Sequence, residues 1–164
     1  MGTGNETRAL PSTHPATLIA TVFGIGRLPF APGTWGSLVA LPLAWAAERI
    51  AGPAGLALLA LAIFAAGWWA SSRVVAASGA DDPGEIVIDE VAAQLMVLLV
   101  VPPDVLLYAI GFALFRLADI LKPWPTSWAD RNVKGGFGIM LDDLLAAFYS
   151  AVALYGAAWA MGRS

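Results

Sequence analysis

Long uncharged runs separated by short, densely charged segments divide the chain. Residues 50–72 carry no charge over 23 positions. At about 1.5 Å per helical residue, that is enough to span a hydrocarbon core of about 30 Å. Residues 144–161 form a second run of 18. Residues 91–115 are interrupted only by Asp104, and residues 34–47 form a shorter apolar run. Turn signals at Ala51-Gly52-Pro53 and Pro102-Pro103-Asp104 separate these runs. Neither break carries a large polar loop, so each predicts a tight hairpin tip. The pattern predicts helices over 36–50, 54–77, 88–101, 104–122 and 141–161, with a loop rich in Pro, Trp and Gly before the last. The expected fold class is all-α: a compact membrane-embedded bundle of about five main helices, two helical hairpins plus a C-terminal helix. Lipid supplies no water to satisfy an open backbone, so the spanning elements must be helical. Residues 1–16 read as a flexible polar tail that lacks the basic start and apolar run of a signal peptide. Residues 17–164 read as one helical domain.

Composition supports a bilayer as solvent. The chain has 164 residues, the size of one domain, with 59% hydrophobic and 13% charged positions. A soluble domain has roughly 45–50% and about 25%. The absence of cysteine excludes disulfides, thiolate metal sites and cysteine nucleophiles. The single histidine, His14, excludes a two-imidazole mechanism, and its place in the tail reads as a solvated bystander. A net charge of −3 with nine basic residues argues against nucleic acid as a partner. The seven tryptophans fall mostly near predicted helix ends, as in an aromatic belt.

Most of the charges fall into two windows. One holds Asp81, Asp82, Glu85, Asp89 and Glu90; the other runs from Arg116 to Asp143. If both breaks are hairpin tips, both windows and the glycine-rich stretch 24–36 lie on the same side of the bundle. Seven basic residues share that side: Arg8, Arg27, Arg73, Arg116, Lys122, Arg131 and Lys134. Only Arg49 and Arg163 fall on the other. The positive-inside rule then turns the charged face to the cytoplasm.

Three motifs carry candidate chemistry. Residues 24–37 form a glycine- and proline-rich loop opening a helix, which allows backbone N–H groups to approach an anion. Gly33, Thr34 and Ser37 are its candidate phosphate contacts; the plainer reading is a rigid turn with an N-cap. In the second motif, Asp82-Pro83-Gly84 is a turn, and Asp89-Glu90 adjoin a run that should be buried. No basic residue lies between Arg73 and Arg116, so these acids repel one another unless a cation sits among them. The alternative is acidic residues complementing a helix N-terminus. In the third motif, Arg116, Asp119 and Lys122 recur every three residues on one helix face. Gly135-Gly136-x-Gly138 then precedes Asp142-Asp143. Ion pairing and capping explain these residues more simply. At a membrane helix end, however, buried unpaired charges are costly, which favours function.

The donor inventory is all oxygen, which selects Mg²⁺, Ca²⁺ or Mn²⁺ over zinc or copper. Carboxylates, a few bases and glycine loops suit a phosphate ester. Without a cysteine or histidine nucleophile, hydrolysis would use water activated by the cation or an aspartyl phosphoenzyme. The metal candidates are Asp82, Asp89, Glu90, Asp119, Asp142 and Asp143, and all but Asp82 are also the catalytic candidates. Gly33, Thr34, Ser37, Arg116, Lys122, Arg131 and Lys134 are the substrate-binding candidates. A membrane divalent-metal carrier and a non-catalytic membrane scaffold are the alternatives. A carrier's acids should lie mid-helix, and here most lie at helix ends.

The motifs together resemble those of the phosphatidylglycerophosphatase A family. The resemblance rests on Ala31-Pro32-Gly33-Thr34-x-Gly36-Ser37, on Asp82-Pro83 followed by Val87-Ile88-Asp89-Glu90, on Phe115-Arg116-x-x-Asp119-Ile120-x-Lys122-Pro123-x-Pro125, and on Gly135-Gly136-x-Gly138-Ile139-Met140-x-Asp142-Asp143. It covers roughly residues 17–155. It implies a Mg²⁺-dependent, multi-pass enzyme of the bacterial inner membrane. That enzyme removes the terminal phosphate of phosphatidylglycerophosphate to give phosphatidylglycerol. Its partners would be this substrate and membrane lipids.

Overall fold

A computed structural model describes residues 9–163. These residues form helices α1 (Pro15–Ala20), α2 (Pro32–Ser78), α3 (Ile88–Leu98), α4 (Val105–Leu121), α5 (Thr126–Asn132) and α6 (Gly135–Ala160), with a 3₁₀ turn at Ile25–Arg27. No strand occurs among the described residues, so the all-α expectation holds.

Both expected hairpins are present. The 47-residue α2 is broken at Gly52, where φ is 66° and ψ is −169°. That region is essentially open to glycine alone, and Pro53 restarts the helix with its φ already set. The two arms run antiparallel. The start of the first arm (Gly36) meets Val87, and the middle of the second (Gly67) meets Ile88 and Met140. Asp104 caps α4 by accepting from the N–H groups of Leu106 (2.8 Å) and Leu107 (3.0 Å). α4 then returns antiparallel to α3, ending at Lys122 in a left-handed conformation ahead of Pro123.

Leu56, Leu95, Leu98, Leu107, Phe115, Met140 and Leu154 are the large buried side chains of the core. Gly111 admits Leu98 and Leu154 against α4. Outside this core the surface is apolar. Ile50, Leu58, Leu61, Phe148, Val152 and Trp159 are each at least 60% exposed. Within the most apolar stretch of α2 only 17% of residues are buried. Burying a large apolar side chain is worth about 1.5–3 kcal/mol, so water would be a poor solvent for this surface. Among the described residues, α2 and α6 are the two helices long and apolar enough to cross a membrane.

Beyond α2, which starts at Pro32 four residues before the expected 36, three segments differ from the sequence expectation. α6 begins at Gly135, six residues before the expected start, and Gly136 and Gly138 within it occupy close backbone contacts. A Cβ at Gly136 would strike Ser72, and one at Gly138 would strike the Val133 carbonyl. The Pro/Trp/Gly-rich segment contains a further helix, α5. α1 begins at Pro15, and His14 caps it by accepting from the Ala16 N–H (3.1 Å) instead of standing free. Residues 1–8 of the expected tail, including Arg8, and the final Ser164 lie outside the described residues.

Candidate active site

Each charged segment delivers its side chains to one end of the bundle. Asp89 and Glu90 stand in the first turn of α3, Asp119 in the last turn of α4, and Asp142 and Asp143 in the third turn of α6. They meet around a cavity of about 170 Å³ lined by eight carboxylates and two lysines, Lys122 and Lys134. Pro32 and Gly33, at the start of α2, close one wall.

The innermost group is Asp89, Glu90 and Asp143. One carboxylate oxygen from each lies within 4.8 Å of the others. Asp89 is 9% exposed and Asp143 4%. Asp89 Oδ1, Glu90 Oε2 and Asp143 Oδ2 are buried without a hydrogen-bond partner. Burial pushes the Asp89 carboxyl well above the usual carboxylate range, and the charges of Glu90, Asp143 and Asp142 add to it. Burial also raises Glu90. Orphaned, mutually repelling oxygens of this kind match the all-oxygen coordination of a hard divalent cation. The donor set therefore fits Mg²⁺.

A brace stands behind this group. Arg116 Nη1 forms an ion pair with Asp119 Oδ2 (2.9 Å), donates to Ser37 Oγ (3.3 Å), and lies 4.0 Å from Glu90 Oε1. Ser37 Oγ in turn donates to the Gly33 carbonyl (3.0 Å). Gly33 leaves room for Glu90, because a Cβ there would displace the Glu90 carboxylate. On the other wall, Lys122 Nζ lies between two acids, bonded to Asp130 Oδ1 and to Asp142 Oδ2, the latter at 2.7 Å. Burial opposes the Lys122 charge, but these two carboxylates more than offset it and raise the ammonium above the usual lysine range.

Of the residues expected from sequence, Asp82, Asp89, Glu90, Asp119, Asp142, Asp143, Gly33, Lys122 and Lys134 line the cavity. Thr34, Ser37, Arg116 and Arg131 do not. Ser37 is fully buried and belongs to the brace. Arg116 contacts Asp119 and Ser37 and does not line the cavity. Arg131 Nε bonds the Ser127 carbonyl within α5. Asp82 sits exposed at the rim. Asp142 pairs with Lys122 and stands apart from the innermost group. Asp130 was not among the expected site residues. The signal that could have found it is an acid eight residues beyond Lys122, legible only once 126–132 is read as a helix turning back over the site.

Comparison with known proteins identifies the family of the chain. The sequence profile of the phosphatidylglycerophosphatase A family matches residues 18–158. A phosphatidylglycerophosphatase A of Escherichia coli K12 is 38% identical over 155 residues, covering 93% of this chain and 90% of the relative. One from Haemophilus influenzae Rd is 34% identical over 156 residues, covering 94% and 96%. A Bacteroides thetaiotaomicron protein with the provisional name phosphatidylinositol-3-phosphatase is 40% identical over 159 residues, covering 93% and 98%. No solved structure matches the chain.

Proposed function

Because the chain belongs to the phosphatidylglycerophosphatase A family, we propose that it hydrolyses the terminal phosphate monoester of phosphatidylglycerophosphate, with Mg²⁺, at a bacterial inner membrane. The observation that carries the reading is the group Asp89, Glu90 and Asp143, whose buried oxygens lack partners at the polar end of an apolar bundle. These three residues would hold the cation, with Asp119 beside them. A divalent cation there supplies charge neutralisation for the phosphoryl oxygens and lowers the proton affinity of water.

The chain's own groups do the remaining tasks. Gly33 leaves room for Glu90 to face the cavity, and Arg116 fixes Glu90 and Asp119 from behind. Lys122 and Lys134 are the cations that line the cavity, so they meet the anionic head group. Lys134 is 55% exposed and meets it at the rim; Lys122 lies further in. The acyl chains would lie against the apolar flanks of α2 and α6, so the phosphate enters from the lipid interface while the carboxylates stay at the helix ends. Arg27, Arg73, Lys122, Arg131 and Lys134 share this end, which supports a cytoplasmic orientation by the positive-inside rule.

The test is phosphate release by detergent-purified protein from phosphatidylglycerophosphate in mixed micelles, with phosphatidylinositol 3-phosphate as the comparison lipid. Release should require Mg²⁺, stop with chelator and favour phosphatidylglycerophosphate. Undiminished release in excess chelator would remove the metal from the account. Cation flux into proteoliposomes without phosphate release would support a carrier instead.

A further inference from the structure

We propose that Asp130 is a built-in stand-in for the substrate's phosphoryl group. It holds Lys122 before substrate enters and gives Lys122 up when a phosphate monoester arrives. The proposal rests on the phosphate-monoester reading above and assigns a role to a residue that reading does not use.

Lys122 is the inner of the two cavity lysines, and its ammonium bridges Asp130 on α5 and Asp142 on α6. Lysine has three donors, so donor count alone would leave one for a substrate. Charge decides otherwise. One ammonium between two carboxylates is a net anion, and it repels a phosphoryl dianion. If one carboxylate leaves, the remaining pair is neutral and Lys122 can face the incoming oxygens.

The two acids are not equally free to leave. The Asp142 side chain is 10% exposed and stands on the 26-residue α6. The Asp130 side chain is 37% exposed and stands on the seven-residue α5, which packs chiefly on α6. A carboxylate released at the surface is rehydrated at little cost, whereas one released in a buried position is not. Asp130 is therefore the exchangeable partner and Asp142 the fixed one.

The test reads phosphate binding without turnover. Inorganic phosphate is titrated calorimetrically into the detergent-purified full chain with Mg²⁺ present and ionic strength held constant. The proteins compared are wild type, Asp130→Asn, Lys122→Gln and the double variant, with Asp130→Ser as a second replacement if the first folds poorly. Freeing Lys122 should tighten phosphate binding about threefold or more, the scale of a lost exposed ion pair. In the Lys122→Gln background the same change should have little effect. Unchanged or weaker phosphate binding by Asp130→Asn would overturn the proposal. So would equal tightening with and without Lys122, since the effect would then be general charge removal. Failure of lipid hydrolysis is read separately in the micelle assay.

Discussion

Asp142 and Asp143 are adjacent in sequence but face different partners. Successive residues on a helix point about 100° apart, so Asp143 joins Asp89 and Glu90 while Asp142 turns to Lys122. Replacing Asp89 by Ala should lower turnover by orders of magnitude at saturating Mg²⁺. It should leave the metal-free protein as stable or slightly more so, because a buried repelling charge is gone. Thermal melts and phosphate release on the same sample check both halves. Arg116→Lys keeps a charge but exchanges the planar guanidinium, whose Nη1 meets both Asp119 and Ser37, for a compact ammonium on a different stem. Turnover should fall about 10-fold, equivalent to about 1.4 kcal/mol; full activity would show that the brace is dispensable. Gly33→Ala leaves the helix intact by circular dichroism but pushes the Glu90 carboxylate aside. Its Mg²⁺ requirement should therefore shift to higher concentration, with no change in melting of the metal-free form.

At the scale of elements, close helix contact sets the site's geometry. Gly136 lets the first turn of α6 lie on Ser72 of α2. Gly136→Ala should cost about 1–3 kcal/mol, as overpacking does, and a lowered melting temperature would register it. The hairpins were legible in the sequence because Gly52-Pro53 and Pro102-Pro103-Asp104 are strong local signals that need no tertiary partner. The end of the bundle holding Asp89, Glu90, Asp119 and Asp143 followed from those two tips alone. What the sequence hid depends on packing. Gly135-Gly136-x-Gly138 reads as loop by composition but forms the first turn of α6, where Gly136 lies against Ser72 of α2 and Gly138 against the Val133 carbonyl. α5 sits in a segment punctuated by Pro123 and Pro125, so no periodicity announces it, and Asp130 was hidden with it. Ser37 and Arg116 have the right chemistry for a phosphate ligand; only their partners place them behind the carboxylates.

The whole molecule is polarised along its long axis. One end holds the carboxylates and most of the basic residues; the other holds the Arg163–Asp104 pair (2.6 Å) and the Gly52 break. The natural chain has no cysteine, so single cysteines report orientation without background. A cysteine at exposed Lys134 should react with an impermeant maleimide only after the membrane is opened, and one beside Gly52 should react in intact spheroplasts. The reverse pattern would invert the topology. The central claim is that phosphate chemistry belongs to the carboxylate end, and Asp143 and Asp104 test it as the same residue type at opposite ends. Phosphate release from phosphatidylglycerophosphate should be measured for Asp143→Ala and Asp104→Ala at equal protein and saturating Mg²⁺. The account predicts that Asp143→Ala loses orders of magnitude while Asp104→Ala, once shown to be folded, retains most of the wild-type rate. Comparable rates for the two variants would contradict it.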